Sequence, residues 1–565
     1  MANFSVSPGV TVSEIDNTFL TGQPVQAGAA IIGPTVKGPV EVPTLVTSYA
    51  DYVNRFGDVL MSGSNTYSYL TSISAYNYFQ NGGTSLIVAR VVTGSYTPAT
   101  STTISNYLNS ASASFALETL SEGVIMNNSG SETSGSLVSG SKDNVRWEIT
   151  NSNTGSGTFN VIIRRGDDKE SNKIVLESWN NVSLDPYSSR FISKVIGDQV
   201  VEYNTVSGQV EVTTGSFVNQ SRYVRVKNVS PTPNYLDNLG IPVSAYTASI
   251  PINKSGSFSG ATGTVLGGAN FYENIASQTQ GLVAGCYDNM VTALSNKDAY
   301  QFNVLSTPGL VNEHHTATIS TIVTSTQNRG DNLYVVDLVD YSGTISDAVT
   351  QASTRDTSYA ATYWPWVRVV DPGTGRQVWI PASTLIPGVY AYNDKVSAPW
   401  FAPAGINRGG LSSVLAAKLR LSQSDRDTLY TNNINPIATF PRTGVSVFGQ
   451  KTLQKGASAL DRVNVRRLLI ELKSYISQVA DTLVFEQNTI TTRNNFLSRV
   501  NPYLQTIQQK QGLYAFKVIM DETNNTPDVV DRNQLIGQIY VQPSRTAEFI
   551  ALDFILLPTG AQFPA

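Results

Sequence analysis

The chain has 565 residues, too many for one ordinary core and enough for roughly three to four domains. Its hydrophobic fraction of 41% belongs to a globular chain, and 38 basic against 42 acidic side chains leave a net charge of −4, with no basic excess to neutralise a phosphate backbone. Only 14% of residues are charged, so the polar surface rests on Ser, Thr, Asn, Gln and Gly, which carry little like-charge repulsion and suit repeated self-contact.

Residues 1–20 read as an extended arm. Phe4, Val6, Val10 and Val12 share one face at period two, and Pro8 between them suits an edge position. A lone amino-terminal strand must pair, either with its own chain's sheet or with a neighbour's. The opening MANFSVSPGVTVSEI lacks the basic patch and apolar run of a secretory signal. No stretch reaches the ~18 apolar residues of a membrane span. The expectation is a chain made and used in a reducing cytoplasm, or released from one by lysis, without membrane insertion.

Residues 21–95 mix α and β patterns. AAIIG before Pro34 predicts a buried strand, and SYADYVNRFG a short helix stopped at Gly57. Apolar spacing predicts a helix over 67–79, and LIVARVV after Asn81-Gly82-Gly83 predicts a buried strand. Residues 96–269 change character: Ser, Thr, Asn and Gly dominate and helical periodicity fades. VRWEIT, FNVIIRR, KIVLESW, QVVEYN and YVRVKNV are strand-like runs separated by turn residues, which predicts an all-β insertion, or two. Mixed patterning returns over 270–440. FYENIASQTQGLVAGCYDNM reads as a helix and AYQFNVLSTPG as a strand. TATISTIVTS and LYVVDLVD read as strands of a smaller β insertion near 311–350, and VRVVDPGTGRQVWIP as a hairpin with Trp364, Trp366 and Trp379 near its legs.

The last stretch, 441–565, is the most legible. Ser458 and Asp461 form a capping-box-like start. The helix that follows has Val465, Leu468, Leu469, Leu472, Ile476 and Val479 on one face and Arg462, Arg466 and Lys473 on another, with Arg467 beside them. A second helix is predicted over 489–500, and a third from Pro502 to Gly512. LYAFKVIM, GQIYVQ and EFIALDFILL are strands, the last apolar on both faces apart from Glu548 and Asp553.

Catalytic signatures are absent: no G-x-S-x-G, no G-x-G-x-x-G, no phosphate-binding loop and no H-E-x-x-H. His314 and His315 are adjacent, read as an exposed loop pair, and as strand neighbours would point apart. Single Cys286 excludes an intramolecular disulfide and reads as a buried small apolar residue. The acid pairs Asp167-Asp168 and Asp521-Glu522 read as solvated surface. No catalytic, cofactor or metal site is therefore expected. The basic helix face is either solvated or a docking face for an acidic partner.

Long co-linear blocks then suggest a family. PWFAPAGINRGG, NPIATFPRTGVSVFGQKTL, ALDRVNVRRLLIELK, FEQNTITTRNNFLSRVNPYL and QQKQGLYAFKVIMDETNNTPDVVDRNQLIGQIYVQPSRTAEFIALDFILLPTGAQF resemble tail sheath proteins of contractile-tailed bacteriophages, in the large virulent branch. SPGVTVSEID, YVNRFG, NGGTSLIVARV and FNVIIRRGDD with NVSLDPYSSRFISKVIGD fit the same family. The match is strongest from Trp364 onward and weakest around 121–160 and 311–350. The resemblance implies an α+β multidomain fold: a mixed α/β core (21–95 and 270–440), a carboxyl-terminal α/β domain with its arm (441–565), an outward-facing all-β insertion (96–269) and extended terminal arms.

It further implies a helical homopolymer of hexameric rings around a tail tube, contracting on a baseplate signal to drive the tube through the host envelope and deliver the genome. The partners implied are other copies of the chain, the tube protein, baseplate proteins and tail terminator or neck proteins, with no nucleic acid and no cofactor. The place implied is the virion tail, with assembly in the host cytoplasm. Inter-subunit strand exchange would fall to Phe4, Val6, Val10 and Val12 and to Ile550, Leu552, Phe554 and Leu556, with 17–18, 21–22 and 557–560 as bending linkers. The tube-facing helix would be the one carrying Arg462, Arg466, Arg467 and Lys473. The competing readings are a sheath of a bacterial contractile injection particle, a glycan-binding surface protein and, least supported, an enzyme.

Overall fold

The structure, a computed structural model, describes residues 25–548 apart from 63–64, 109–111, 128–131, 134, 266, 268–269 and 442. Its centre is an eight-stranded sheet. In chain order the strands are β1 (Val25–Gly33), β2 (Thr44–Val46), β3 (Leu86–Arg90), β4 (Tyr300–Val311), β5 (Leu333–Asp337), β6 (Ala360–Trp364), β7 (Asn435–Phe440) and β8 (Gly444–Val447). Their spatial order is β2-β3-β1-β4-β5-β6-β7-β8. Neighbours from β3 to β7 pair parallel, and the two edge strands β2 and β8 pair antiparallel.

Both faces of this sheet are covered, which is why its strands read as unbroken apolar runs. Along β1, Ala29 and Ile31 enter one hydrophobic cluster while Ala30 and Ile32 enter the other. The first face is covered by α1 (Tyr49–Phe56) and α2 (Leu70–Gln80), and the second by α3 (Asp288–Ala293), α4 (Asn312–Arg329) and α5 (Ile345–Ser353). Further along, α6 (Ile386–Val396) joins the first face and α7 (Gln423–Thr431) the second. The start and stop of α1 follow the sequence: Ser48 Oγ accepts the Asp51 N–H at 3.1 Å, and Gly57 closes the helix at φ 76°, where a side chain would be strained.

The expected β insertion near 311–350 is instead α4, β5 and α5, part of the main sheet and its cover. TATISTIVTS lies inside α4. Its buried Ile319, Ile322, Val323 and Thr326 repeat at i, i+3, i+4 and i+7, so packing against the sheet overrides the strand preference of β-branched residues. The helix expected over FYENIASQTQGLVAGCYDNM is confined to α3. Before it, Gln280 and Gly281 take left-handed backbone angles and break the run into short bridges and 3-10 turns.

Within residues 96–265, two larger antiparallel sheets enclose one core. One sheet orders Val175–Ser183, Thr158–Arg165, Val145–Asn153 and Lys254–Gly256. The other orders Val224–Val229, Ala113–Glu122, Pro98–Ser101 and Phe258–Ser259. Trp147, Phe115, Phe159 and Phe258 fill the space between them, with the Phe115 and Phe159 rings stacked at 5.5 Å. Asp168, expected on the surface, is 2% exposed and bonds Arg164 Nε at 2.7 Å and Arg146 Nη1 at 3.3 Å. Two buried guanidiniums require a counter-charge there.

A polar seam ties this insertion to the main sheet. Buried Lys37 donates to the Asp143 carbonyl at 3.2 Å, and Arg222 Nη1 lies 3.3 Å from Asp51 Oδ1. Arg90, fully buried, donates to the Glu122 carbonyl at 3.0 Å. Burial pushes the Glu122 carboxyl up to about 7 although Arg90 opposes it. Beside the seam, Val36, Leu60, Tyr69 and Phe271 pack with Ile125 and Val265.

Candidate assembly interface

The carboxyl-terminal unit is built on α8 (Val463–Asp481) and α9 (Ile490–Gln509). The expected capping box at Ser458 is a separate 3-10 turn, Ala459–Asp461, in which Ser458 Oγ accepts the Leu460 N–H at 3.0 Å. Helix α8 begins only after the extended residue Arg462. The two helices expected either side of Pro502 are one, because Val500 and Leu504, both 0% exposed, hold the halves against the same core.

A hairpin of Leu513–Ile519 and Gln538–Pro543 covers these helices. Phe516 pairs with Val541 and Val518 with Ile539, and these four pack on the cluster around Leu468, Leu472, Phe496 and Val500. Tyr514 and Tyr540 stay more than half exposed. Among the described residues this sheet has only two strands. The outer edge of each strand therefore meets no further strand among the described residues. A two-stranded sheet is marginal in water, and an open edge is a template for another chain's strand. The exchange candidates Phe4, Val6, Val10 and Val12, and Ile550, Leu552, Phe554 and Leu556, lie outside the described residues, as do the bending linkers.

The basic face of α8 is largely not a surface. Arg466 and Arg467 are 3% and 4% exposed. Arg467 Nη2 bonds Asp394 Oδ2 on α6 at 2.6 Å, and its guanidinium sits 4.7 Å from the Tyr390 ring centroid. Burial lowers the Arg467 pKa, but the Asp394 carboxylate outweighs it and holds the group above its ordinary value. Arg466 donates to the Ser358 carbonyl at 3.2 Å and stacks 4.0 Å from the Tyr359 ring centroid. Arg462 bonds Glu548 at 2.8 Å. Of the four, Lys473 is exposed. The cluster anchors the carboxyl-terminal unit to the main sheet, and its partners Ser358, Tyr359, Asp394 and Glu548 carry no sequence signal linking them to α8.

His314 and His315 are not a loop pair. They open α4, where buried His315 accepts the Val311 N–H on Nδ1 at 3.0 Å and exposed His314 Nε2 lies 3.1 Å from Asp340 Oδ2. Burial, reinforced by His314, lowers the His315 pKa. Ligand-capable atoms of Glu313, His314 and Asp340 fall within 4.8 Å of one another. The Asp340 carboxylate is already engaged, with Oδ1 accepting from Ser342 N–H at 2.7 Å and Gly343 N–H at 3.1 Å. Cys286 is half-buried, not buried, with Sγ 3.4 Å from Thr93 Oγ1.

Comparison with known proteins places these elements. Residues 286–453 match the phage tail sheath protein central domain, and residues 457–556 the phage tail sheath C-terminal domain. A tail sheath protein of Vibrio phage KVP40 is 40% identical over 220 residues, covering 39% of this chain and 33% of that protein. The chain spans about a third of the length of the curated relatives it matches. In fold it is similar to a sheath tail protein from Listeria innocua, with TM-score 0.51 and 11% identity over 93% of this chain and 96% of that one. It is also similar to the anti-feeding prophage helical sheath in its contracted state, with TM-score 0.50 and 17% identity over 98% and 99% of the two chains. At these identities the two structures speak for the fold alone.

Proposed function

We propose, for a chain whose central and carboxyl-terminal domains are those of phage tail sheath proteins, that it is the structural subunit of a contractile tail sheath. In this reading copies polymerise as a helix of six-membered rings around a tail tube. Contraction then drives the tube through the host envelope. The observation that carries the reading is the carboxyl-terminal hairpin, whose two outer edges meet no strand among the described residues. Arms with apolar residues at period two, Phe4 to Val12 and Ile550 to Leu556, suit addition to such edges. Each copy would donate arms to neighbours and accept theirs. A head-to-tail contact of that kind builds an open helix instead of closing into a dimer.

The stroke draws on interfaces with two stable arrangements, and we assign the chain no catalytic step. The further partners in this reading are the tube, the baseplate and the neck or terminator proteins. The virion tail is the site of action and the host cytoplasm the site of assembly. Of the basic residues on α8, the tube contact falls to Lys473, since Arg466 and Arg467 are buried against the main sheet. Deleting residues 1–20 tests the reading. Full-length chain should form hollow tubes or stacked six-fold rings in negative-stain electron microscopy, and the truncated chain should stay dispersed with an unchanged unfolding temperature. Truncated chain that still grows tubes of normal length would refute strand addition by this arm.

A further inference from the structure

The carboxyl-terminal unit leaves the main sheet at Arg462 and returns to the same spot at Glu548. On the way out, the Val463 N–H bonds the Gln450 carbonyl at 2.7 Å. On the way back, the Gln450 side-chain amide donates to Thr546 Oγ1 at 2.6 Å and to Glu548 Oε1 at 2.9 Å. The same Oε1 takes Arg462 Nε at 2.8 Å, and Oε2 takes the Tyr430 hydroxyl at 2.8 Å. Three donors from three parts of the chain thus converge on one carboxylate. Burial raises the Glu548 pKa, but the bonds from Arg462, Gln450 and Tyr430 outweigh it and hold the group below its ordinary value.

Residues 544–548 run between two clefts, of about 460 and 370 Å³, and Thr546 and Glu548 line both. The Ser544 N–H also bonds the Gly512 carbonyl at 3.1 Å, so the segment is held by polar contacts at Ser544, Thr546 and Glu548. We propose that Glu548 is a latch that joins the exit of the carboxyl-terminal unit to its entry, so that chain beyond residue 548 departs from a fixed point on the main sheet. Its use rests on the sheath reading. When neighbouring subunits rotate, tension on a carboxyl-terminal arm passes through Glu548 to Arg462, Tyr430 and Gln450. Without the latch the same pull would peel Gln538–Pro543 from the two-stranded hairpin, which is marginal by itself.

Trypsin reads the latch directly, because exposed Arg545 lies inside the segment. In dilute, unassembled full-length chain, Glu548→Ala and Arg462→Gln should each raise the cleavage rate at Arg545 at least tenfold. Glu548→Gln, which keeps the shape, should fall between them and the wild type. Unchanged unfolding temperatures would confirm that the variants fold. An unchanged rate at Arg545 in both Glu548→Ala and Arg462→Gln would overturn the latch. In assembly, Glu548→Ala should give sheaths that break on contraction; intact contracted sheaths would overturn its mechanical use. A wild-type chain that never assembles, while cleavage at Arg545 still responds, would refute the sheath reading and leave the latch standing.

Discussion

At the foot of α8, Arg466 and Arg467 are close neighbours of Arg462 in a chain where charge is scarce, and that spacing fits a solvated face, a docking face or an internal anchor equally well. The structure selects the anchor, through partners 108 and 73 residues away in sequence at Ser358 and Asp394. No local pattern reports such a separation, so the cations were legible and their direction was not. Removing one member of a buried ion pair leaves the other short of compensation. Asp394 keeps a side-chain exposure of 35%, so water recovers part of the loss. Arg467→Ala should therefore cost about 3 kcal/mol, the low end for a buried pair. Lys473→Glu should leave stability unchanged and weaken only binding to a tube. Chemical denaturation of the two variants, followed by Trp fluorescence, separates them. Equal stability in Arg467→Ala and wild type would mean that the anchor carries no weight. Reversing Arg462 and Arg466 together to Glu would not isolate tube contact, since it also breaks their bonds to Glu548 and Ser358.

Among the elements, strands were the easier to read. β1, β3 and β5 are buried on both faces, so their apolar runs are unbroken, and the strands of residues 96–265 are set apart by turn residues. The exception is α4. Its Thr, Ile and Val residues favour strand locally, and only the sheet beneath them selects the helix. Nor did sequence show how firmly the insertion sits. Strands spaced by Ser and Gly suggest a decoration that could be removed. Yet the insertion covers Val36, Leu60, Tyr69 and Phe271 through Ile125 and Val265, and its Asp143 and Arg222 pair with Lys37 and Asp51. Once the insertion is gone, water can hydrate the freed charges, so the lasting damage is the uncovered aromatic patch. Replacing residues 96–265 by a short Gly-Ser linker should thus produce a chain that self-associates non-specifically on size-exclusion chromatography. Leu239→Ser with Ile241→Ser, on exposed side chains of the same insertion, should elute like wild type. A linker variant that elutes as a clean monomer would show that the seam is dispensable.

For the whole molecule, the proposed strand addition makes the hairpin edges and the patterned arms opposite ends of one contact. A copy lacking residues 1–20 keeps the hairpin, so it can still accept a neighbour's arm, but it has none of its own to give. In a closed ring assembly such a copy would be diluted without great effect. In a head-to-tail helix each truncated copy instead leaves one acceptor edge empty wherever it is incorporated. Growth should then stall near truncated copies, and mean sheath length should fall steeply with their mole fraction, well before they form the majority. Mixing full-length and truncated chains at a series of ratios, with lengths measured by negative-stain electron microscopy, tests this. A length that falls only in proportion to the full-length chain present would mean that truncated copies are excluded, not incorporated. It would then follow that the amino-terminal arm is needed to enter the lattice at all, and that an acceptor hairpin alone cannot recruit a copy.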